Sequence, residues 1–426
     1  MKKKNLRLSG IFGLFFMLLH LSGYAQDTLR INLAEAENLF LNRNLSLLAE
    51  KYNISIAEAQ VIQARLHINP NFQFSGNIYN PVQKKFFDVS NQTGEYILGA
   101  QQLILLAGKK NKQIQLAQTN AVLAENRLFD LLRTLRFTLR SDFYQAYFLQ
   151  NSINAYQTQI IALDSLNNSY KILLAKGVVT LKDAVRIQAL LYSLKAEQTS
   201  LQNQFNEAEA EMQLLLQNNK MWFIPVSDVN VAATTPIKDI ALTTLVDTAY
   251  ANRYDLKIAQ NNLLYDQRNY NLQKALAVPD LTLGASFDKR GSFVESASFF
   301  NLGIDLPFFN RNQGNIKAAK TGIEQSEVQL HQQSFVVEND VQKAYSKAIN
   351  TDKMLTSIDP AFRASFQQLL TSITENFRKR NISLLEFTDF YESYKQNVLQ
   401  INQLQNDRMQ AIENLNFAVG KTILNY

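Results

Sequence analysis

Cysteine is absent from the 426 residues, glycine (14) and proline (7) are scarce, and there are only three histidines. Without cysteine there is no disulfide framework, no thiolate metal site, no cysteine nucleophile and no lipid attached through sulfur. The low glycine and proline content excludes a collagen-like or disordered chain, and a hydrophobic fraction of 46% is ample for a large buried surface. No run of 18 apolar residues occurs anywhere, so no spanning helix is expected. Basic excess is also missing. The formal charge is +6, but Lys2, Lys3, Lys4 and Arg7 lie in the first 25 residues, which leaves 43 − 4 = 39 basic against 37 acidic residues. A net of +2 with no basic cluster argues against a nucleic-acid partner.

Those first 25 residues read as a secretory signal peptide: a basic start, an apolar stretch from Leu8 to Leu21, then small residues before Gln26. The apolar core, about 14 residues, is short of the roughly 20 that a membrane anchor needs. Export would remove His20 and leave His67 and His331, 264 positions apart.

Prolines stand at 70, 81, 225, 236, 279, 307 and 360, so residues 82–224 hold none, and 111–176 hold no glycine either. Within this run Ile114, Ala117, Ala121, Ala124, Leu128, Leu131 and Leu135 alternate spacings of three and four, the seam of a coiled coil. A continuous helix over about 109–175 is expected, roughly 100 Å long at 1.5 Å per residue. Further seams run through Ile187, Leu190, Leu194, Leu201, Phe205, Ala208, Met212 and Leu215, and through Phe387, Tyr391, Tyr394, Val398 and Ile401.

Two regions break this rhythm. After Pro70, Phe72 and Phe74 alternate with Gln73 and Ser75; after Pro279, Leu281, Leu283, Ala285 and Phe287 alternate with Thr282, Gly284 and Ser286. Their partners are Tyr96–Leu105 and the Phe300, Leu302, Ile304, Leu306 series. Such alternation fits a membrane strand as well as a half-buried soluble one. Offsets of 203 to 209 relate the halves: Pro70 to Pro279, Leu98-Gly99 to Leu302-Gly303, and Lys176–Ala184 to Lys379–Phe387 without a gap. A duplicated unit of helix, strand, strand, long helix, turn and helix follows, with 26–232 and 233–426 as its two intertwined copies. If the strands lie in lipid, four cannot close a sheet, because unpaired edges are not tolerated there; three chains would supply twelve.

The segment Leu306–Ile316 (LPFFNRNQGNI), following Pro279-Asp280-Leu281, resembles the second strand-to-helix junction of TolC-like outer membrane efflux proteins, and most of all their heavy-metal (cobalt–zinc–cadmium) branch. Leu106-Ala107-Gly108-Lys109-Lys110 matches the first junction. The likeness covers essentially all of the chain after the leader. It implies a mainly α fold with a small membrane β part: a homotrimer whose twelve-stranded outer-membrane β-barrel continues as an α-helical barrel in the periplasm. It further implies a passive exit duct joined to an inner-membrane pump of the RND type through a periplasmic adaptor, in contact with outer-membrane lipid; with no HExxH and no cysteine, neither enzyme activity nor a cofactor is expected. The heavy-metal likeness points to metal cations as cargo. A drug or type I secretion duct of the same fold, or a periplasmic coiled-coil scaffold without a pore, are the other readings. The acylated N-terminal cysteine of some metal-exporting relatives has no counterpart here.

The turns at Ala175–Asp183 and Arg378–Glu386 correspond to the family's periplasmic tip, where Gly177, Val178, Val179, Asn381, Ile382 and Ser383 are the candidates for adaptor docking. Gly177 can take the positive φ of a tight turn and Asn381 tolerates it next best. Thr180 and Ser383 are expected N-caps, each with an acid, Asp183 or Glu386, three residues on. Glu386 and Asp389 share a helix face and match the family's acidic pair at the tip constriction; three chains would put six carboxylates around one aperture, attracting cations and raising one another's pKa. The plainer meaning, a solvated face with a cap, stands beside the gate. The first repeat offers Asp183 and Arg186 instead. Pro307 is expected to end the last strand, Asn310 to cap the next helix, Gly314 to allow close helix contact, and Pro360 to restart a helix. Gly420-Lys421-Thr422 resembles the end of a phosphate loop, but Leu415 stands where its first glycine belongs. With two distant histidines and no cysteine, no tight transition-metal site is expected.

Overall fold

The computed structural model describes residues 27–227, 237, 240–290 and 295–424. The leader, and the repeat boundary at 232/233, lie outside the described residues. In chain order the elements are β1 (Asp27–Ile31), α1 (Leu33–Arg43), α2 (Leu45–Arg65), β2 (Asn71–Gly76), β3 (Tyr79–Asn80), β4 (Lys85–Phe86), β5 (Glu95–Ile104), α3 (Lys109–Ala175), α4 (Leu181–Leu216) and β6 (Met221–Pro225). Then come α5 (Leu242–Asn252), α6 (Tyr254–Leu276), β7 (Leu281–Arg290), β8 (Ala297–Ile304), α7 (Gln313–Thr356), α8 (Pro360–Arg378) and α9 (Leu384–Val419).

The long helix expected at 109–175 is α3, 67 residues without a break. Its counterpart in the second half is interrupted: α7 ends at Thr356 and α8 begins at Pro360, with the Asp359 carboxylate accepting from Ala361 N. That is the restart expected at Pro360, a position suited to proline because the first helical N–H has no intrahelical partner.

The halves match closely in length. Helices α1 and α5 both have 11 residues, starting 209 apart; α4 and α9 both have 36, starting 203 apart and each followed by a left-handed residue, Gln217 (φ 53°) and Gly420 (φ 74°). A further correspondence lies at the breaks between the short helices. Asn44 Nδ2 donates to Leu215 O (3.0 Å), and 209 residues on Arg253 Nη1 donates to Ala418 O (3.2 Å). In both halves the residue between two short helices bonds a carbonyl in the last turn of the returning helix, one of the orphan acceptors every helix end leaves.

Three buried clusters hold these rods together. One gathers Phe40, Leu139, Phe143, Tyr144, Met212 and Phe223. A second joins Leu245, Val337, Val341, Ile412 and Leu415 across α5, α7 and α9. The third, toward the helix turns, packs Tyr156, Ile187, Leu191, Phe377, Phe387 and Tyr391 from both hairpins. Of the expected seam residues Ile187, Leu194, Phe205, Met212, Phe387, Tyr391 and Ile401 are buried, whereas Leu190, Leu201, Val398 and all of the α3 seam except Ala124 are half-buried. An ion pair, Arg408 to Asp352 at 2.6 Å, is buried between α9 and α7.

The four principal strands form one antiparallel sheet in the order β2-β5-β7-β8. The register aligns Phe72, Ala100, Ala285 and Phe300 across it, and Leu283 with Leu302. Among the described residues β2 and β8 are each paired on one side only. Two smaller pairings accompany the sheet: parallel β1-β6 and the short hairpin β3-β4.

Candidate functional site

Because side chains alternate across a strand, the register sorts the sheet into two unlike faces. One carries Phe72, Phe74, Leu98, Ala100, Leu281, Leu283, Ala285, Phe287, Phe300, Leu302 and Ile304, with Phe72 71% and Phe300 74% exposed. The other carries Asn71, Gln73, Ser75, Gln101, Ser286 and Asn301 around a cleft of about 320 Å³, in which Asn301 Nδ2 donates to Ser286 Oγ (3.0 Å), with Ile97 and Phe299 as apolar members of the same face. An exposed aromatic face backed by an amide and hydroxyl face is the arrangement of a sheet set between hydrocarbon and water. No helix among the described residues is long and apolar enough to cross a membrane.

Below the sheet the two junctions are tied together. Lys109 Nζ meets Asp280 Oδ1 (2.6 Å) and Val278 O (2.6 Å), and Leu106 N donates to the same carboxylate (2.9 Å). The residues expected to shape the second junction behave differently from the expectation. Strand β8 stops at Ile304, so Pro307 lies in the following turn, where Phe308 N donates to Leu306 O. Asn310 is not the helix cap: its Oδ1 accepts from Asn312 N, and Asn312, at φ 58°, is the residue before α7. Asn312 Nδ2 instead bonds Gln273 O and Oε1 on α6, a tertiary contact that fixes the junction. A Cβ at Gly314 would meet open space, so that glycine serves no close helix contact within the chain.

At the far end, roughly 100 Å away by the length of α3, lie the two helix turns. They superpose bond for bond at an offset of 203. Gly177 N donates to Leu174 O and Val178 N to Leu173 O; Arg380 N donates to Phe377 O and Asn381 N to Asn376 O. Gly177 has the expected positive φ (69°), but in the second turn it is Arg380 (63°), not Asn381, that is left-handed. For a residue with a Cβ this conformation costs about 1–2 kcal/mol. Arg380→Gly should therefore raise the unfolding free energy by about 1 kcal/mol and Gly177→Ala should lower it, both read from thermal unfolding.

Both returning helices are capped as expected: Thr180 Oγ1 accepts from Asp183 N (3.2 Å), and Ser383 Oγ from Glu386 N (3.2 Å). The second cap is reciprocal, since Glu386 Oε2 accepts from Ser383 N and Ser383 Oγ, both at 2.8 Å. These two bonds, backbone first, hold the Glu386 carboxyl below the usual carboxylate range. The upward shift expected from a ring of like charges belongs to assembled chains; within one chain the cap acts in the opposite direction. Glu386 and Asp389 are both exposed, three residues apart on α9. Val178 is 48% exposed, and Ile382 packs beside the buried cluster.

Sequence reasoning missed what binds the two hairpins to each other here. Tyr170 stacks on Phe377 (5.9 Å), Phe377 on Phe387 (4.3 Å), and Phe387 leans on Tyr391 (5.6 Å). Higher up, Lys395 Nζ on α9 bridges Glu197 Oε1 on α4 (2.9 Å) and Glu392 Oε1 (2.8 Å), while Tyr156 OH donates to Glu197. Burial alone would raise the Glu197 pKa, but the Lys395 ammonium and the Tyr156 hydroxyl outweigh it and lower it. Among the described residues no group of three or more His, Cys, Asp or Glu is set to hold a metal ion.

Residues 245–421 match the outer membrane efflux protein family. The outer membrane protein TolC of Salmonella enteritidis is 32% identical over 237 residues, which is 49% of this chain and 46% of that protein. Toxin and drug export protein A of Aggregatibacter actinomycetemcomitans is 26% identical over 63% of this chain and 60% of its own length. The aligned stretch thus spans about half the length of these curated relatives. A solved structure of CusC superposes with a TM-score of 0.73 at 17% identity, over 94% of each chain.

Proposed function

We propose that this chain is a member of the TolC-like outer membrane efflux protein family, a reading supported by the family match over 245–421 and the likeness to TolC, and that it is the passive exit duct of a tripartite efflux system, conducting metal cations outward. Three copies close their sheets into a twelve-stranded barrel through the edges β8 and β2. The helical rods continue the conduit into the periplasm, where an adaptor meets the turns at 177–179 and 381–383 and connects them to an RND-type pump. The two halves, 26–232 and 233–426, are copies of one ancestral unit, a reading supported by their matched helix lengths. Glu386 and Asp389 face the narrowing at the tip and gate it.

The observation that carries this reading is the four-stranded sheet, aromatic on one face, mainly polar on the other, and open at both edges among the described residues. Open edges in hydrocarbon leave N–H and C=O groups unpaired, so such a sheet must join others of its kind. The metal cargo rests on the likeness of Leu306–Ile316 to the heavy-metal branch. A second reading, export of drugs or polypeptide, is favoured by the relative described as a toxin and drug export protein. Deleting the gene and challenging cells with zinc, cobalt, cadmium, copper, silver and dyes separates the two. Metal sensitivity is expected; sensitivity to dyes alone would refute the metal cargo.

A further inference from the structure

One cavity outside the tip and the sheet combines an unusual set of side chains. It holds about 250 Å³ between α3, the start of α6 and the end of α9, with Phe129, Arg136, Phe137, Tyr254, Phe417 and Lys421 in its lining. Two stacked aromatic pairs contribute to its lining: Phe129 with Tyr254 (4.9 Å) and Phe137 with Phe417 (4.7 Å).

Three arginines of α3 reach this cavity, and two are already neutralised. Arg133 pairs with Asp130 (2.8 Å) and Asp255 (3.5 Å), donates to Phe417 O (2.9 Å), and lies 4.2 Å over the Phe417 ring. Arg140 pairs with Glu37 (2.5 Å) and Glu413 (3.2 Å). Arg136, one turn from each, has no hydrogen bond or ion pair among the described residues, and its Nε is shut off from solvent without an acceptor. Arg136 lines the cavity without a carboxylate of its own, so a guanidinium nitrogen that faces the cavity can donate to an oxyanion in a charge-assisted hydrogen bond.

We infer that this cavity binds an aryl carboxylate, its oxygens on the Arg136 guanidinium and its ring against the aromatic side chains of the lining. A bare inorganic anion would satisfy the guanidinium but would lose its own hydration against four rings, whereas a flat apolar body is at home there. Lipid headgroups are too far away. Arg136 lies 27 residues along α3 from Lys109 at the foot of the sheet, roughly 40 Å at 1.5 Å per residue, so the ligand arrives from water.

The test uses the full-length protein in detergent, with 4-fluorobenzoate as probe, followed by fluorine NMR titration and by thermal unfolding. Saturable binding at one site per chain and a rise in melting temperature are expected. Arg136→Gln should weaken binding at least tenfold while leaving the ligand-free protein folded, and Arg136→Lys should retain part of the affinity. Inorganic phosphate and 4-fluorobenzyl alcohol should bind at least tenfold more weakly than the probe. The inference is overturned if the probe does not bind, if Arg136→Gln binds it as well as the natural chain, or if phosphate or the neutral alcohol matches it. Should Arg136→Gln fail to assemble, Arg136→Lys decides: full affinity there, with the alcohol equal to the carboxylate, refutes the site.

Discussion

Single-channel conductance is expected to rise, and block by multivalent cations to weaken several-fold, when Glu386→Gln and Asp389→Asn are combined. Each chain contributes two carboxylates at the start of α9, so three chains would concentrate six charges at the narrowest part of the proposed conduit. A ring of this kind holds divalent or trivalent cations by Coulomb attraction in a confined space, and the held ions obstruct the pore. The choice of substitution matters, because Glu386 is also half of a reciprocal helix cap. Alanine would remove charge and cap together; glutamine at the same position still reaches the Ser383 backbone N–H. If the isosteric double variant leaves planar-bilayer traces unchanged, the pair is only a cap and a solvated face.

The second large effect concerns Arg253. Its guanidinium bonds Asp255, Asp340 (2.9 Å) and Ala418 O (3.2 Å) while its side chain is nearly inaccessible to water. Gly420 packs so close that a Cβ there would lie 3.2 Å from Arg253 N. Arg253 is buried, whereas Asp340 is 45% exposed and Asp255 keeps Arg133 at 3.5 Å, so losing the guanidinium costs about 3 kcal/mol, the low end for breaking a buried pair. Arg253→Met is therefore expected to lower the unfolding free energy by that amount in denaturant titrations. The equivalent residue Asn44 carries no charge. Asn44→Ala removes a neutral cap to Leu47 N and one bond to Leu215 O, and should cost only about 0.5–2 kcal/mol. Equal losses at the two sites would contradict the assignment of charge burial to the second half alone.

Much of this architecture was legible because its signals are long or local. A stretch without proline or glycine marks α3 nearly to the residue, and period-two alternation marks β2, β5, β7 and β8. The caps at Thr180 and Ser383 follow from residue type and a three-residue spacing. What escaped depends on partners distant in sequence. Strands β1 and β6 are five residues each, pair across almost two hundred positions and carry no clear alternation. The left-handed residue of the second turn is Arg380 although Asn381 tolerates that conformation better. Phe377 lies in the last turn of α8, stacked on Phe387 and Tyr170, and its carbonyl accepts from Arg380 N, which puts the left-handed residue three positions after it. In the same way Asn312 displaces Asn310 at the junction because Gln273 on another helix offers it two acceptors. The ionic breaks at Arg253 and the aromatic cavity at Arg136 gather residues from three or more helices, which no single stretch of sequence advertises.

The central claim is that one chain's open sheet is completed by two others to enclose a water-filled bore. Native mass spectrometry of the protein extracted from outer membranes tests it most directly. A species of three chains that survives in mild detergent and separates only on heating is expected. A protein recovered from the soluble fraction as a single chain would contradict it.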